Sequence, residues 1–201
     1  PNMIHPGSGA TIRTLLEHLN ERPRYIALGG LNIWGRHAAL DALEQQSSVI
    51  PIRTAFPHES FRTDPGKAEQ VLSQVLVDET DILAKIAVLD VFHRPLDVIA
   101  TAPSKKWCIS DYWFEQLLAD FSFYSPKMIV GTLYPFNNSP ILPRLLVVDD
   151  AVEVAESHHE GFVRYNEYMH SLVAHHKIAV LRLDSESDAV AEVLAAMQAM
   201  E

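Results

Sequence analysis

Apolar residues along this chain follow two patterns, short uninterrupted runs and longer stretches with helical spacing. The short runs predict five β-strands over residues 25–28, 48–52, 107–110, 145–148 and 178–183. The longer stretches predict helices over residues 11–21, 67–77, 81–99, 112–121, 162–175 and 188–200, and from the turn after residue 28 to about residue 46. Because strands that alternate with helices form parallel sheets covered on both faces, we expect a three-layer α/β/α fold with a mostly parallel five-stranded sheet.

The length of 201 residues predicts one main domain. We expect residues 1–23 to form a lead-in with one helix and residues 24–201 to form the domain, without internal repeats. Pro51 lies inside the second predicted strand. Since proline cannot donate a hydrogen bond to a sheet, it indicates an edge strand or the end of a strand.

The charge balance bears on which partners the protein can bind. Sixteen basic and 26 acidic side chains give a formal net charge of -10, and Lys105-Lys106 is the longest basic run. Such a surface repels nucleic acid and anionic membranes, so we expect neither as a partner. The single cysteine, Cys108, excludes an internal disulfide and favours a reducing, cytoplasmic location.

A glycine-framed turn follows the first predicted strand. Four residues separate Gly30 from Gly35, and an amphipathic segment begins after Gly35. This order of strand, loop and helix is typical of loops that bind phosphate through backbone amides. The loop lysine and hydroxyl that normally contact phosphate and Mg²⁺ are replaced by Arg36 and His37. Imidazole is a poor ligand for Mg²⁺, which prefers oxygen.

The chain resembles the thymidylate kinase family of P-loop nucleoside monophosphate kinases. That family opens with Glu-Gly-Leu-Asp-Gly-x-Gly-Lys-x-Thr, and residues 29–38 read Gly-Gly-Leu-Asn-Ile-Trp-Gly-Arg-His-Ala. The resemblance runs from about Arg24 to the end of the chain and depends on order and spacing more than on identity. Further segments similar to the family are Arg53 with Phe56-Pro57, Leu89-Asp90-Val91, Ser110-Asp111-Tyr112, Pro143-Arg144-Leu145 and Val148-Asp149.

The resemblance implies a P-loop kinase-like fold, binding of ATP with Mg²⁺, and a homodimer formed through helices in the middle of the fold. The departures from the family all concern phosphate chemistry. Besides the changes at Arg36 and His37, Val91 stands where the family has an arginine, Tyr112 follows Asp111 in place of another, and residues 156–161 lack the arginines of the family's lid. Phosphoryl transfer depends on neutralising the charge of the transferred group, so these losses predict a protein without kinase activity.

We therefore expect a pseudoenzyme that acts through binding or assembly, as a homodimer or in a protein complex, with no cofactor. Its degenerate phosphate loop comprises Gly30, Asn32, Gly35, Arg36 and His37, and no metal site is predicted. The bulk of Trp34 raises the question of whether this side chain plugs the loop.

Two alternatives remain open at this stage. One is an active or divergent kinase that uses ATP and Mg²⁺, in which Arg36 contacts phosphate, Asp111 or Asp149 holds the metal, and Arg94 or Arg53 grips the acceptor. The other is a nucleotide sensor that binds without turnover.

Several other residues have structural interpretations that we prefer to functional ones. Asp111 is expected to cap a helix that begins at Tyr112, and Asp149 and Asp150 are expected to cap the helix after the fourth strand. Cys108 is expected to be a core residue. The pairs His158-His159 and His175-His176 are expected to be solvated helix ends, because neighbours on a helix point about 100° apart and rarely chelate a metal together. The aromatic residues of the middle third fit core packing, a base-stacking pocket or a partner surface; they are Trp113, Phe114, Phe121, Phe123, Tyr124, Tyr134 and Phe136.

Overall fold

The structure, a computed structural model, describes residues 22–53, 93–113, 116, 119, 123, 141–149, 156, 159–184 and 187–201, without the side chains of residues 33 and 34. Its strands are β1 (Tyr25–Gly29), β2 (Val49–Ile52), β3 (Trp107–Ser110), β4 (Leu145–Asp149) and β5 (Ala179–Leu183). Its helices with defined bounds are α1 (Ile33–Leu43), α2 (His159–His176) and α3 (Ala189–Ala199), and residues 93–101 are also helical.

The five strands form one sheet in the order β2-β3-β1-β4-β5, and every neighbouring pair is parallel. The predicted five-stranded sheet is confirmed, and it is parallel throughout. The sheet places β1 at its centre, so the carboxyl ends of β1, β3 and β4 lie side by side. Pro51 lies in β2 at the edge of the sheet, as its missing N–H predicts.

Two apolar clusters cover the two faces of the sheet and confirm the three-layer architecture. On one face, Leu40 and Leu43 of α1 and Val193 and Met197 of α3 pack against strand residues such as Ile26. On the other face, the buried residues include Leu96 of the helical segment 93–101, Tyr165 and Met169 of α2, and Trp113. Because every strand residue of β1 and β3 is buried, these strands read as continuous apolar runs.

Several predicted boundaries need correction or lie outside the described residues. Tyr112 and Trp113 are not helical, whereas residues 116, 119 and 123 are, so the helix predicted to begin at Tyr112 starts later. Two predicted helices lie outside the described residues, those over residues 11–21 and 67–77. The same holds for most of the helix predicted over residues 81–99 and most of the lead-in of residues 1–23.

Within the described part of the chain, no helix combines the length and the apolar character needed to cross a membrane.

Candidate functional site

The chain leaves β1 through a turn whose backbone conformation requires glycine at position 30. Gly30 has a φ of 100°. A Cβ built on Gly30 would overlap the backbone carbonyl of Asp149 at the end of β4. The turn is therefore pressed against the main chain of the neighbouring strand, and glycine provides both the positive φ and the space.

Helix α1 begins earlier than the sequence pattern suggests. It starts at Ile33, so Leu31 and Asn32 are the only residues between Gly30 and the helix. In a phosphate-binding loop the glycine-rich segment precedes the helix, and the amides of the loop and of the helix N-terminus converge on the phosphate. Here Gly35 and the two residues after it lie inside α1. The prediction that the helix begins after Gly35 is wrong, because Asn32 caps the helix three residues earlier.

Asn32 makes three hydrogen bonds that hold the turn closed. Its Oδ1 accepts from the backbone N–H of Gly35 at 2.9 Å, which caps α1. Its Nδ2 donates to Oδ2 of Asp149 at 3.1 Å, and its backbone N–H donates to the Asp149 carbonyl at 3.0 Å. The carboxylate of Asp149 therefore lies beside the amino end of α1, where the helix dipole favours a negative charge.

The amide of Gly30 is also engaged. It donates to Oε1 of Gln116 at 3.0 Å, and Nε2 of Gln116 donates to the hydroxyl of Tyr165 at 3.2 Å. Gln116 is completely buried. Gln116 belongs to no motif of the sequence that indicated the site. A lone amide side chain among the apolar residues around it was the available indication.

Arg36 is a buried cation on the first turns of α1. The side chain is 2% exposed, and its Cζ lies 5.3 Å from the centroid of the Tyr112 ring. Nε and Nη1 of Arg36 make no hydrogen bond in the structure as described. Its aromatic neighbour gives a cation–π contact that offsets part of the cost of burial.

His37 faces Asp111 directly. Nδ1 of His37 lies 3.0 Å from Oδ2 of Asp111, and the two side chains are 7% and 2% exposed. Asp111 follows β3 at the same edge of the sheet as the glycine turn. The expected role of Asp111 as cap of a helix beginning at Tyr112 is wrong, because Tyr112 is not helical and the carboxylate contacts the imidazole.

Comparisons by sequence identify no relative: no protein-family model matches the chain, and no curated protein matches it. Comparison of structures is informative. The thymidylate kinase from Candida albicans superposes with a TM-score of 0.55 at 14% identity, over 89% of this chain and 92% of that one. The chain has a thymidylate kinase-like P-loop fold. The thymidylate kinase from Ehrlichia chaffeensis is similar at a TM-score of 0.49 and 14% identity, over 89% of this chain and all of that one.

The thymidylate kinase-like fold implies a magnesium ion, and the residues present do not fit one. In P-loop enzymes a loop hydroxyl and a carboxylate hold the metal. Here an imidazole stands after the loop cation, and it contacts the buried carboxylate of Asp111. Magnesium requires near-octahedral oxygen ligands and usually keeps several waters, which this buried pair does not offer. No group of three or more potential ligands is found among the described residues.

The remaining candidates of the active-kinase hypothesis are placed as follows. Arg53 contacts Asp41 and Glu44 of the α1 region, each at 2.7 Å. Arg94 is exposed on the helical segment 93–101, and none of the contacts described around the glycine turn involves it. Asp149 contacts Asn32. The structure thus brings Gly30, Asn32, Gly35, Arg36, His37, Asp111 and Asp149 to one edge of the sheet.

Cys108 is a core residue, as expected, and the described residues of the histidine pairs, His159, His175 and His176, lie at the two ends of α2. Cys108 is buried in β3, and burial raises the pKa of its thiol to about 11, which disfavours the nucleophilic thiolate. His159 and His176 are the first and last residues of α2, about 26 Å apart along the helix axis. The two pairs therefore cannot meet to bind one metal. His158, Asp150 and the side chain of Trp34 lie outside the described residues. Of the middle-third aromatic residues, the structure describes two, Phe123 and the core residue Trp113.

Proposed function

We propose that the protein is a non-catalytic member of the thymidylate kinase-like fold, which acts by binding or assembling with protein rather than by transferring phosphate. The observation that carries this proposal is the closed glycine turn. The amides of Gly30, Asn32, Gly35 and Arg36 donate to Gln116, Asp149 and Asn32, so they are not directed at a ligand.

The electrostatics of the turn support the same conclusion. In a working phosphate loop the backbone amides and the helix terminus converge on phosphate oxygens. In this chain the carboxylate of Asp149 lies against the turn, close enough that a Cβ on Gly35 would overlap its Oδ2. An anionic phosphate brought to that place would meet a like charge and lose the donors that normally offset its desolvation.

Among the residues that the structure describes, few cations are available at this edge of the sheet for phosphoryl transfer. Arg36 is the basic side chain buried at this edge of the sheet, and Arg53 is held by two carboxylates on α1. Removing a single donor to the transition-state charge typically costs about 3–4 kcal/mol. Losing several donors and the metal together therefore supports a protein without turnover.

The mode of action that we propose is assembly, as a homodimer or within a larger protein complex, in a reducing cytoplasmic compartment. The pairing is supported by the resemblance to kinases that dimerise through helices of this fold. The compartment is supported by the single buried thiol of Cys108. Sedimentation analysis of the purified chain tests the first part, and a monomer at every concentration would count against a homodimer.

A kinase assay and a binding assay test the loss of catalysis. We expect no phosphorylation of dTMP or other nucleoside monophosphates with ATP and Mg²⁺. We also expect no change in thermal denaturation with millimolar ATP, ADP or dTMP. A ligand at 100 times its dissociation constant would stabilise the fold by about 2.7 kcal/mol, which is easily detected. Phosphorylation that disappears in Arg36→Ala, and remains in Arg182→Ala on β5, would refute the proposal.

A second candidate function is a sensor that binds a nucleotide without turnover. One observation favours it: the guanidinium of Arg36 is buried, and its Nε and Nη1 make no hydrogen bond in the described structure. Buried guanidinium N–H groups that lack acceptors are costly unless an anion completes them. Calorimetry separates the two functions. Heat of binding without product, lost in Arg36→Ala and kept in Arg182→Ala, would identify the sensor.

A further inference from the structure

The contact between His37 and Asp111 has a counterpart in enzymes with this loop. There, the residue after the loop cation and a carboxylate at the end of a neighbouring strand hold Mg²⁺ between them. In this chain the corresponding residue is His37, and its Nδ1 lies 3.0 Å from Oδ2 of Asp111, a direct contact that leaves no room for an ion between the two atoms.

We propose that His37 replaces the metal: its imidazole occupies the magnesium position, pairs with Asp111 and joins α1 to the end of β3, so that this end of the fold neither binds nor needs a divalent cation. The proposal concerns metal dependence, not turnover, and goes beyond the proposed function. A protein that bound nucleotide without metal would refute the assembly role and leave this inference standing.

The burial of Asp111 is the first physical reason. Its side chain is 2% exposed, and an ionised carboxylate at that depth requires a partner that donates a hydrogen bond or carries positive charge. Nδ1 of an imidazole can donate in one neutral tautomer and in the imidazolium. Nδ1 of His37 is the atom placed against that carboxylate, so a side chain of the protein itself takes the position beside Asp111.

The neighbouring residue strengthens the case. Arg36 places a fixed positive group on the same turn of α1, over the ring of Tyr112, the residue that follows Asp111. A divalent cation bound to Asp111 would have to displace the imidazole from the carboxylate and would share this end of the sheet with the guanidinium. Both effects disfavour Mg²⁺, whose ligands are oxygens and retained waters.

A serine at position 37 reverses the replacement and tests it. His37→Ser removes the imidazole and provides a hydroxyl, so Asp111 loses its partner and gains a possible co-ligand for Mg²⁺. We expect the urea midpoint of the unmodified protein to be the same in millimolar MgCl₂ and in NaCl of equal ionic strength. We expect His37→Ser to have a lower midpoint in NaCl and to recover part of the loss in MgCl₂.

The control variants identify the atoms responsible. Adding Asp111→Asn to His37→Ser should abolish the response to MgCl₂. His37→Asn, whose Nδ2 can stand close to the position of Nδ1, should lose less stability than His37→Ser. An unmodified protein stabilised by MgCl₂, or a folded His37→Ser that ignores it, would overturn the proposal.

A measurement on the unmodified protein decides the matter if His37→Ser does not fold. Mn²⁺ shares the preference of Mg²⁺ for carboxylate and water ligands, and it gives a strong electron paramagnetic resonance signal when free. We expect an equimolar amount of the unmodified protein to reduce the signal of free Mn²⁺ no more than the Asp111→Asn variant does. A loss of free Mn²⁺ with the unmodified protein that Asp111→Asn abolishes would contradict the proposal.

Discussion

Asn32 has two roles in the glycine turn that depend on the two ends of its amide. The oxygen caps α1 through the N–H of Gly35, and the nitrogen donates to the carboxylate of Asp149. An aspartate, which the thymidylate kinase family has at this point of the motif, provides the first contact but not the second. The change from carboxylate to amide thus lets Asp149 approach the turn.

Substitutions at Asn32 can separate these roles. Asn32→Ala should lower the free energy of unfolding by about 1–2 kcal/mol, the usual cost of losing a helix cap. Asn32→Asp keeps the cap but sets two carboxylates side by side, so its loss should be large at neutral pH. That loss should shrink at acidic pH, because protonating one of the two carboxyl groups removes the repulsion. Urea denaturation at both pH values measures this, and a loss independent of pH would show that Asp149 does not contribute.

At this scale the sequence predicted which residues gather at the site better than it predicted their contacts. Arg36 and His37 were identified from the loop motif because that motif is local. The partners of the turn, Gln116 and Asp149, are 86 and 117 residues distant from the groups they bind. Such contacts depend on the strand order, which periodicity alone does not determine.

Helices α1 and α3 share one face of the sheet, and their stability comes from the residues they bury. Val193 of α3 is completely buried, in the same apolar cluster as Leu40 and Leu43 of α1. Val163 of α2 is 41% exposed. The two valines lie in helices, so the same substitution at each carries the same change in helix propensity.

Val193→Ala and Val163→Ala therefore form a matched pair. We expect Val193→Ala to lower the free energy of unfolding by about 2 kcal/mol, because it removes buried methyl groups and leaves a cavity. Val163→Ala should change it by less than about 0.5 kcal/mol. Chemical denaturation of both variants is the measurement. Equal effects would mean that α3 is not packed as described.

The strands were predicted more accurately than the helix boundaries. Each strand is an apolar run ended by polar or turn residues, and the observed bounds differ from the predicted ones by at most one residue at either end. The start of α1 was misplaced because Gly35 was read as part of an open loop. Asn32 is a favourable N-cap residue, and this local indication was outweighed by the glycine spacing.

The sheet as a whole surrounds the single thiol of the chain. Cys108 lies in β3, between β2 and β1, and its pKa is raised by burial from 9.0 to about 11. The native state therefore keeps the proton at pH values where the unfolded chain has lost it. Between those two pKa values the unfolded state binds fewer protons, so stability falls as the pH rises.

Comparison with Cys108→Ala isolates this contribution. Both proteins share the titration of lysines and tyrosines, whereas only the unmodified protein carries the thiol. We expect the difference in free energy of unfolding between them to be constant below about pH 8. From pH 9 towards 11 the unmodified protein should lose stability faster than Cys108→Ala. Urea denaturation across this range provides the test, and parallel curves would show that the thiol ionises freely in the native state.

The hydrogen bonds from Gly30 through Gln116 to Tyr165 join parts of the molecule that lie on opposite sides of the sheet. Tyr165 belongs to α2, whereas the turn leads into α1 on the other face. The main chain at Gly30 has little freedom to adjust, because its positive φ and the Asp149 carbonyl confine it. A protein that displaced α2 on docking would therefore transmit the movement to the turn, without any small molecule as intermediary.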